Sequence, residues 1–246
     1  MYLSFYKLKN KPFEITTDPA FLWLGEKHKE ALATLEYSIR EDKGFLLLTG
    51  DVGTGKTVLI NSLVQQIRLK SVISTVPDPS LDLIDFFNFL AASFRFGESI
   101  KTKGEFLALL KKFLIKSEAF KRKVLLVIDE AQRLNHELLE EIRLLSNIEM
   151  ENRKLINILF VGQPEFNQIL MENRNRAVRN RIAVRYHIDP LELDETKNYI
   201  RHRLEIAGTT AEIFTQTAIR EIYRFTAGNP RLINILCDHA LLTGFS

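Results

Sequence analysis

The chemistry of this 246-residue chain concentrates first in the run Gly50, Asp51, Val52, Gly53, Thr54, Gly55, Lys56 and Thr57, which fits the pattern G-x-x-x-x-G-K-[ST]. Glycines let a backbone bend tightly and bring its N–H groups close to phosphate oxygens. A helix that starts at the lysine points its positive end at the same anions. Lys56 would add a full positive charge at the β- and γ-phosphates, and the Thr57 hydroxyl is a ligand for Mg²⁺. The plain alternative is a chance glycine turn. Against it, the run sits between an apolar stretch, Phe45 to Thr49, and a helical pattern beginning at Lys56, which is the context the chemistry needs.

An acidic pair supplies the second component. Val124 to Ile128 is a short apolar run followed directly by Asp129 and Glu130. Such a strand delivers carboxylates to the C-terminal edge of a parallel sheet, where ligands of this architecture bind. Asp129 would hold Mg²⁺, and Glu130 would orient and polarise an attacking water. The alternative is a strand that merely ends in polar residues. Asp129-Glu-Ala-Gln132 also has the form of a helicase box, but no other helicase motif accompanies it.

Three further positions could serve the same anion. The apolar run Leu155 to Val161 ends in Gly162, Gln163 and Pro164, and the Gln163 amide could bridge a γ-phosphate and a water. The alternative there is a strand-to-helix turn, since Pro164 suits a first helical position. Between residues 174 and 185 stand Arg174, Arg176, Arg179, Arg181 and Arg185 with no acidic residue. They fit a solvated basic face, contact with a DNA backbone, or an arginine reaching the γ-phosphate of a neighbouring subunit. Arg181, just before the run Val184 to Ile188, fits the last role better than Arg179. Arg231, in Gly228-Asn-Pro-Arg231, falls in the first turn of a helix, where a cation is unfavourable without an anionic partner.

Positioning these groups requires strands and helices in alternation. Strand-like runs at Phe45–Thr49, Val72–Val76, Val124–Ile128, Leu155–Val161 and Val184–Ile188 are read together as strands covered on both faces, as in a parallel sheet. Helical spacing fills the intervals His28–Arg40, Lys56–Leu69, Leu81–Phe94, Gly104–Phe120 and His136–Ile148. This predicts an α/β fold, a parallel sheet between helices, over residues 1–190. After Pro190 only helical patterns remain, at Glu195–Ala207, Thr215–Ala227 and Arg231–Leu242, and predict a small helical domain over 191–246.

Composition narrows the class. Apolar residues are 46% and charged residues 26%, which excludes a disordered chain. Thirty-four basic against 31 acidic residues give +3, too small a balance to demand a nucleic-acid partner. The single cysteine, Cys237, cannot form an intrachain disulfide and reads as a core residue. No run reaches the roughly 18 apolar residues of a membrane span, and the Lys7, Lys9, Lys11 segment is not followed by a signal-peptide core. A cytoplasmic location is expected.

Taken together, the words Phe5-Tyr-Lys-Leu8, Lys11-Pro-Phe13, Asp18-Pro19 with Phe21-Leu22, His28-Lys-Glu-Ala-Leu32, Gly50 to Thr57, Asp129 to Leu134, Leu138 to Glu149, Gly162-Gln-Pro-Glu165, Arg181-Ile182 and Gly228-Asn-Pro-Arg231 resemble AAA+ ATPases of the ExeA/GspA secretion-pathway type, relatives of the TniB/TnsC transposition ATPases. The resemblance runs over nearly the whole chain. It implies a RecA-like five-stranded parallel core of strand order 5-1-4-3-2 with a helical lid. It implies that Gln163 is sensor 1, Arg181 the arginine finger and Arg231 sensor 2. It also places Pro12 and Phe13 against the adenine, with His28 nearby. Asp51 and Val58 stand where the family often has Glu and Thr. Secretion members often continue into a membrane span and a peptidoglycan-binding module, neither of which follows here. The lid reads as one helix short, so Ser246 is expected to end a fragment.

The expected function is Mg²⁺-dependent ATP hydrolysis by a homo-oligomer, in a ring, driving assembly or remodelling of a secretion or pilus machine. An inner-membrane association would come through a further segment or a partner. Two other readings stay open: an ATP-dependent DNA-binding switch that recruits a transposase, and a nucleotide-dependent scaffold, against which the intact Glu130 argues.

Overall fold

The computed structural model describes residues 2–15, 21–97, 99–150 and 153–245. Asp18 and Pro19 of the motif set lie outside them. The elements run α1 (Tyr2–Phe5), α2 (Glu26–Arg40), β1 (Phe45–Gly50), α3 (Lys56–Ile67), β2 (Ser71–Val76), α4 (Leu83–Ser93), α5 (Lys103–Ala119) and β3 (Lys123–Ile128). They continue with α6 (His136–Leu145), β4 (Glu149–Met150), β5 (Arg153–Lys154), β6 (Asn157–Gly162), α7 (Glu165–Met171), α8 (Arg176–Arg179) and β7 (Ile182–Ile188). Three helices close the chain: α9 (Leu193–Ile206), α10 (Gln216–Thr226) and α11 (Pro230–Phe245).

The main sheet has the order β2-β3-β6-β1-β7. Counted along the five principal strands this is 5-1-4-3-2, as the resemblance implied. β1 pairs parallel with β6, with Thr49 opposite Gly162, and β3 pairs parallel with β6, with Ile128 opposite Phe160. The chain therefore leaves β1, β3 and β6 at the same edge. β4 and β5 form a separate antiparallel pair.

Burial follows sheet position. β1 and β6 are buried along their whole length and β3 from Val124 onward, which is why they are apolar without alternation. The same was expected of Val184–Ile188, and there the structure differs. β7 is an edge strand in which Ala183, Arg185 and His187 are exposed while Val184 and Tyr186 are partly covered.

By packing the chain forms two compact units, one of residues 31–50 and 60–187, the other of 1–30, 51–59 and 188–246. This grouping cuts across the chain-order division at residue 190. The first unit contains the sheet and a phenylalanine-rich core: Phe87 stacks on Phe106 at 4.4 Å between centroids, and Phe45 on Phe160 at 5.6 Å. Its helices are well started: Thr102 and Glu105 form a capping box on α5, and Asn135 caps α6 through Leu138 N at 2.8 Å.

The second unit packs Tyr2, Leu8, Phe13 and Phe21 against α9, α10 and α11, with Cys237 fully buried among them. At its centre Arg203, only 5% exposed, donates to the carbonyl oxygens of Pro12 and, at 3.0 Å, Glu14, and to Tyr199 Oη at 3.0 Å. Its guanidinium lies 5.0 Å from the centre of the Phe21 ring. Among the described residues no helix is long and apolar enough to cross a membrane.

Candidate functional site

The glycine run turns as its sequence requires. β1 ends at Gly50, residues 51–55 form the turn, and α3 starts at Lys56. Gly53 and Gly55 have φ of +85° and +97°, a region costly for residues with a Cβ. Inside the turn the Asp51 carbonyl accepts from Thr54 N at 3.3 Å, Thr54 Oγ1 at 2.9 Å and Lys56 Nζ at 2.9 Å.

Two side chains hold other carbonyls of this turn. His28 Nε2, on α2, lies 3.2 Å from the Thr54 carbonyl oxygen. Asn229 Nδ2 donates to the Val52 carbonyl at 2.7 Å. Burial pushes the His28 pKa below the ordinary histidine value, a shift that the Thr54 carbonyl and Glu195 oppose. The ring is therefore neutral near pH 7, and because a carbonyl only accepts, Nε2 carries the hydrogen. Arg231 is exposed in the first turn of α11, and its Cβ would lie 2.7 Å from a Cβ built on Gly53. The same compact unit thus gathers residues 51–58, His28, Asn229 and Arg231.

The acidic edge is equally well defined. Asp129 and Glu130 are half-buried at the end of β3. Asp129 Oδ1 accepts from Glu130 N at 2.9 Å, and Glu130 is left-handed at φ 50°, ψ 39°. Such a conformation costs a residue with a side chain about 1–2 kcal/mol and concentrates at functional sites. Gln132, given no role by the sequence reading, joins two of the expected residues: its Nε2 donates to Glu130 Oε2, and its Oε1 accepts from Gln163 N at 3.0 Å. A Cβ on Gly162 would lie 2.9 Å from that same Oε1, so the glycine leaves room for the bridge. The only sequence signal was the amide in the Asp129-Glu-Ala-Gln132 word.

The arginines separate by partner. Arg181 Nη1 donates to Arg143 O at 3.1 Å, Ser146 Oγ at 2.8 Å and Asn147 Oδ1 at 2.7 Å, at the carbonyl end of α6. Arg179 bonds Met171 O, Arg174 pairs with Glu172, and Arg185 bonds Arg179 O. Arg176 is exposed. Pro12 is buried, and Phe13, 1% exposed, packs edge-on to Phe214. The Phe13 ring thus packs within the core of its unit.

Comparison with known proteins gives this geometry its family. The model of the AAA domain matches residues 39–170, more than half of the chain. The chain belongs to this family. It is an ATPase domain of the AAA+ type, and its sequence is 39% identical over 248 aligned positions to general secretion pathway protein A of Aeromonas hydrophila, covering all of this chain and 45% of that protein. Chaperone protein ClpB of Aquifex aeolicus is 34% identical over 104 residues, 42% of this chain and 10% of that one. The chain thus spans less than half the length of either relative. Among solved structures, Cdc6p of Pyrobaculum aerophilum superposes with a TM-score of 0.66 at 19% identity, covering 92% of this chain and 66% of that one. The Aeropyrum pernix ORC1 protein, solved in complex with DNA, gives 0.63 at 16%, covering 91% and 63%. These likenesses support the AAA+ fold alone.

Proposed function

We propose that this AAA+ chain binds ATP with Mg²⁺ and hydrolyses it to ADP and phosphate, and that the cycle drives assembly or remodelling of an envelope machine of the secretion or pilus type. The observation that carries the reading is the glycine turn with two of its carbonyls, those of Val52 and Thr54, held by Asn229 and His28. In a trans peptide the N–H points opposite to the C=O. Fixing those carbonyls therefore fixes the N–H groups of Gly53 and Gly55, the donors a phosphate chain uses.

Each residue then has a role. Lys56 contacts the β- and γ-phosphates, with the turn 50–55 and the start of α3, Val58 included, around them. The Thr57 hydroxyl and the Asp129 carboxylate are the hard oxygen donors Mg²⁺ takes, and these would hold it. Bound there, the ion neutralises phosphate charge. Glu130 accepts the proton of the water that attacks the γ-phosphorus as the bond to the bridging oxygen breaks, with ADP as leaving group. Gln163 contacts the γ-phosphate, and Arg231 senses it from α11. Arg181 serves a neighbouring subunit of a homo-oligomeric ring. The base meets the main chain around Pro12 and Phe13, since the ring is buried, while His28 supports the turn.

Phosphate release tests the reading. Lys56→Ala should lower turnover about a hundredfold or more, and Glu130→Gln should retain ATP binding while losing turnover. Phosphate release that survives Lys56→Ala overturns it. The alternative, a DNA-binding switch recruiting a transposase, rests on the arginines between residues 174 and 185. Of these, Arg174, Arg179, Arg181 and Arg185 bond acceptors of their own chain. A salt-sensitive shift of duplex DNA by the ATP-loaded chain would favour it.

A further inference from the structure

We propose that Asn229 is a positioning residue that ties the phosphate turn to the first turn of α11, so that the two move as one. The proposal rests on the reading of residues 50–57 as the phosphate site and names how that site is coupled to the C-terminal helices. Asn229 uses both ends of its amide. Nδ2 donates to Val52 O at 2.7 Å, and Oδ1 accepts from Arg231 N at 3.0 Å and Leu232 N at 3.3 Å. The acceptor end caps α11, satisfying N–H groups that have no partner within the helix. The donor end fixes the Val52–Gly53 peptide.

The packing leaves little slack in this tie. A Cβ on Gly53 would lie 2.7 Å from Arg231 Cβ and 2.7 Å from Asn229 Oδ1, so the turn and the helix start meet at closest approach. A reorientation of the Val52–Gly53 peptide on phosphate binding must then stretch the Asn229 bond or carry the helix start with it. The same amide sets the backbone from which Arg231 projects. Along α11, Ile233, Cys237 and Leu241 are buried in a core shared with Leu8 and Phe13. A displacement of the first turn is thereby passed to the N-terminal segment packed on this helix.

Serine at 229 separates the two functions of the amide. Its hydroxyl oxygen caps a helix as asparagine does, yet it is too short to reach Val52 O, and it adds no charge. Alanine abolishes both contacts. Hydrogen exchange of residues 51–55 and 231–233 in the full chain, with and without a non-hydrolysable ATP analogue and Mg²⁺, reads the tie. In the wild type the analogue should slow exchange in both segments. In Asn229→Ser it should slow exchange in the turn alone, with affinity reduced about tenfold, the equivalent of one lost hydrogen bond.

Even without nucleotide, residues 51–55 should exchange faster in Asn229→Ser than in the wild type, while 231–233 stay protected. Identical exchange in wild type and Asn229→Ser, with and without analogue, would show that asparagine only caps the helix and would overturn the proposal. A wild-type chain that fails to bind the analogue counts against the ATPase reading, whereas the ligand-free comparison still decides whether the tie exists. Thermal melts of Asn229→Ser and Asn229→Ala establish that each variant is folded.

Discussion

His28 Nε2 lies 3.2 Å from the carbonyl oxygen of Thr54, so an imidazole on α2 holds the peptide that leads into Gly55. Because burial depresses its pKa, the folded chain keeps His28 neutral at a pH where the unfolded chain protonates it. The unfolded state then binds more protons, and stability falls as pH drops through the ordinary histidine range near 6.5. Above that range both states are neutral and the effect vanishes. His28→Gln retains a donor for Thr54 O and has no titration. Urea unfolding at pH 7.5 and 5.5 should show a smaller pH-dependent loss in this variant than in the wild type. Equal losses would show that His28 does not carry the effect.

Gln132 gives a second prediction, because its amide joins the carboxylate of Glu130 to the backbone N–H of Gln163. Gln132→Leu leaves both groups without that partner and frees the Glu130 side chain. Turnover should fall about tenfold, the lower end of what positioned acid–base groups contribute, while nucleotide affinity stays within about twofold. Gly162→Ala should act alike, since its Cβ would crowd the Gln132 Oε1. Steady-state phosphate release together with calorimetric binding checks both variants. Unchanged turnover in Gln132→Leu would remove the residue from the mechanism.

How much of this was readable in advance depended on the range of the interactions. The glycine turn, the acidic pair and the buried strands β1, β3 and β6 are local patterns with a fixed physical cause, and they stand where the sequence placed them. β7 kept its place and lost its expected two-sided cover: Arg185 and His187 alternate with Val184, Tyr186 and Ile188, so the strand's own sequence carries the one-sided pattern of an edge. The short elements α1, α7 and α8 and the pair β4–β5 are too brief for a periodicity to register. Gln132 and Asn229 were unreadable as connectors for another reason. Each joins groups that the fold alone brings within 3.0 Å, across 31 residues from Gln132 to Gln163 and 177 from Val52 to Asn229. Phe13 matched a motif, and its edge-on packing against Phe214, 201 residues away in sequence, was not readable from that motif.

Arg181 lends itself to a test that separates stability from assembly. Its Nη1 contacts three acceptors at the C-terminal end of α6, where a cation also meets the negative end of the helix dipole. Arg181→Ala should therefore destabilise the isolated chain by about 1–2 kcal/mol, which lowers the melting temperature by roughly 2–8 °C for a chain of this size. Arg181→Lys can keep one or two of those contacts but not the reach of a guanidinium. It should melt close to the wild type and yet lose turnover that depends on protein concentration. A variant Arg181→Ala that melts with the wild type would show that the α6 contacts contribute nothing.

Arg203 carries the most demanding prediction. It is a buried cation, and among the described residues no carboxylate bonds to it. Its described partners are the carbonyls of Pro12 and Glu14, the Tyr199 hydroxyl and the faces of Phe21 and Tyr199. Replacing it with methionine fills much of the volume but leaves two carbonyls and a hydroxyl without their donor, each costing about 1–3 kcal/mol where water does not take its place. The N-terminal segment should then detach first, since Arg203 is what bonds residues 12 and 14 to α9. Arg203→Met should open residues 2–15 to limited proteolysis at a protein concentration and temperature where the wild type resists. Arg203→Lys, which cannot fork between two carbonyls and the hydroxyl, should fall between the two. If Arg203→Met resists cleavage as the wild type does, the apolar contacts of Tyr2, Leu8 and Phe13, with the bonds of Lys9 N to Ala207 O and of Tyr2 Oη to Asp238, suffice to hold the segment, and the arginine has some other use.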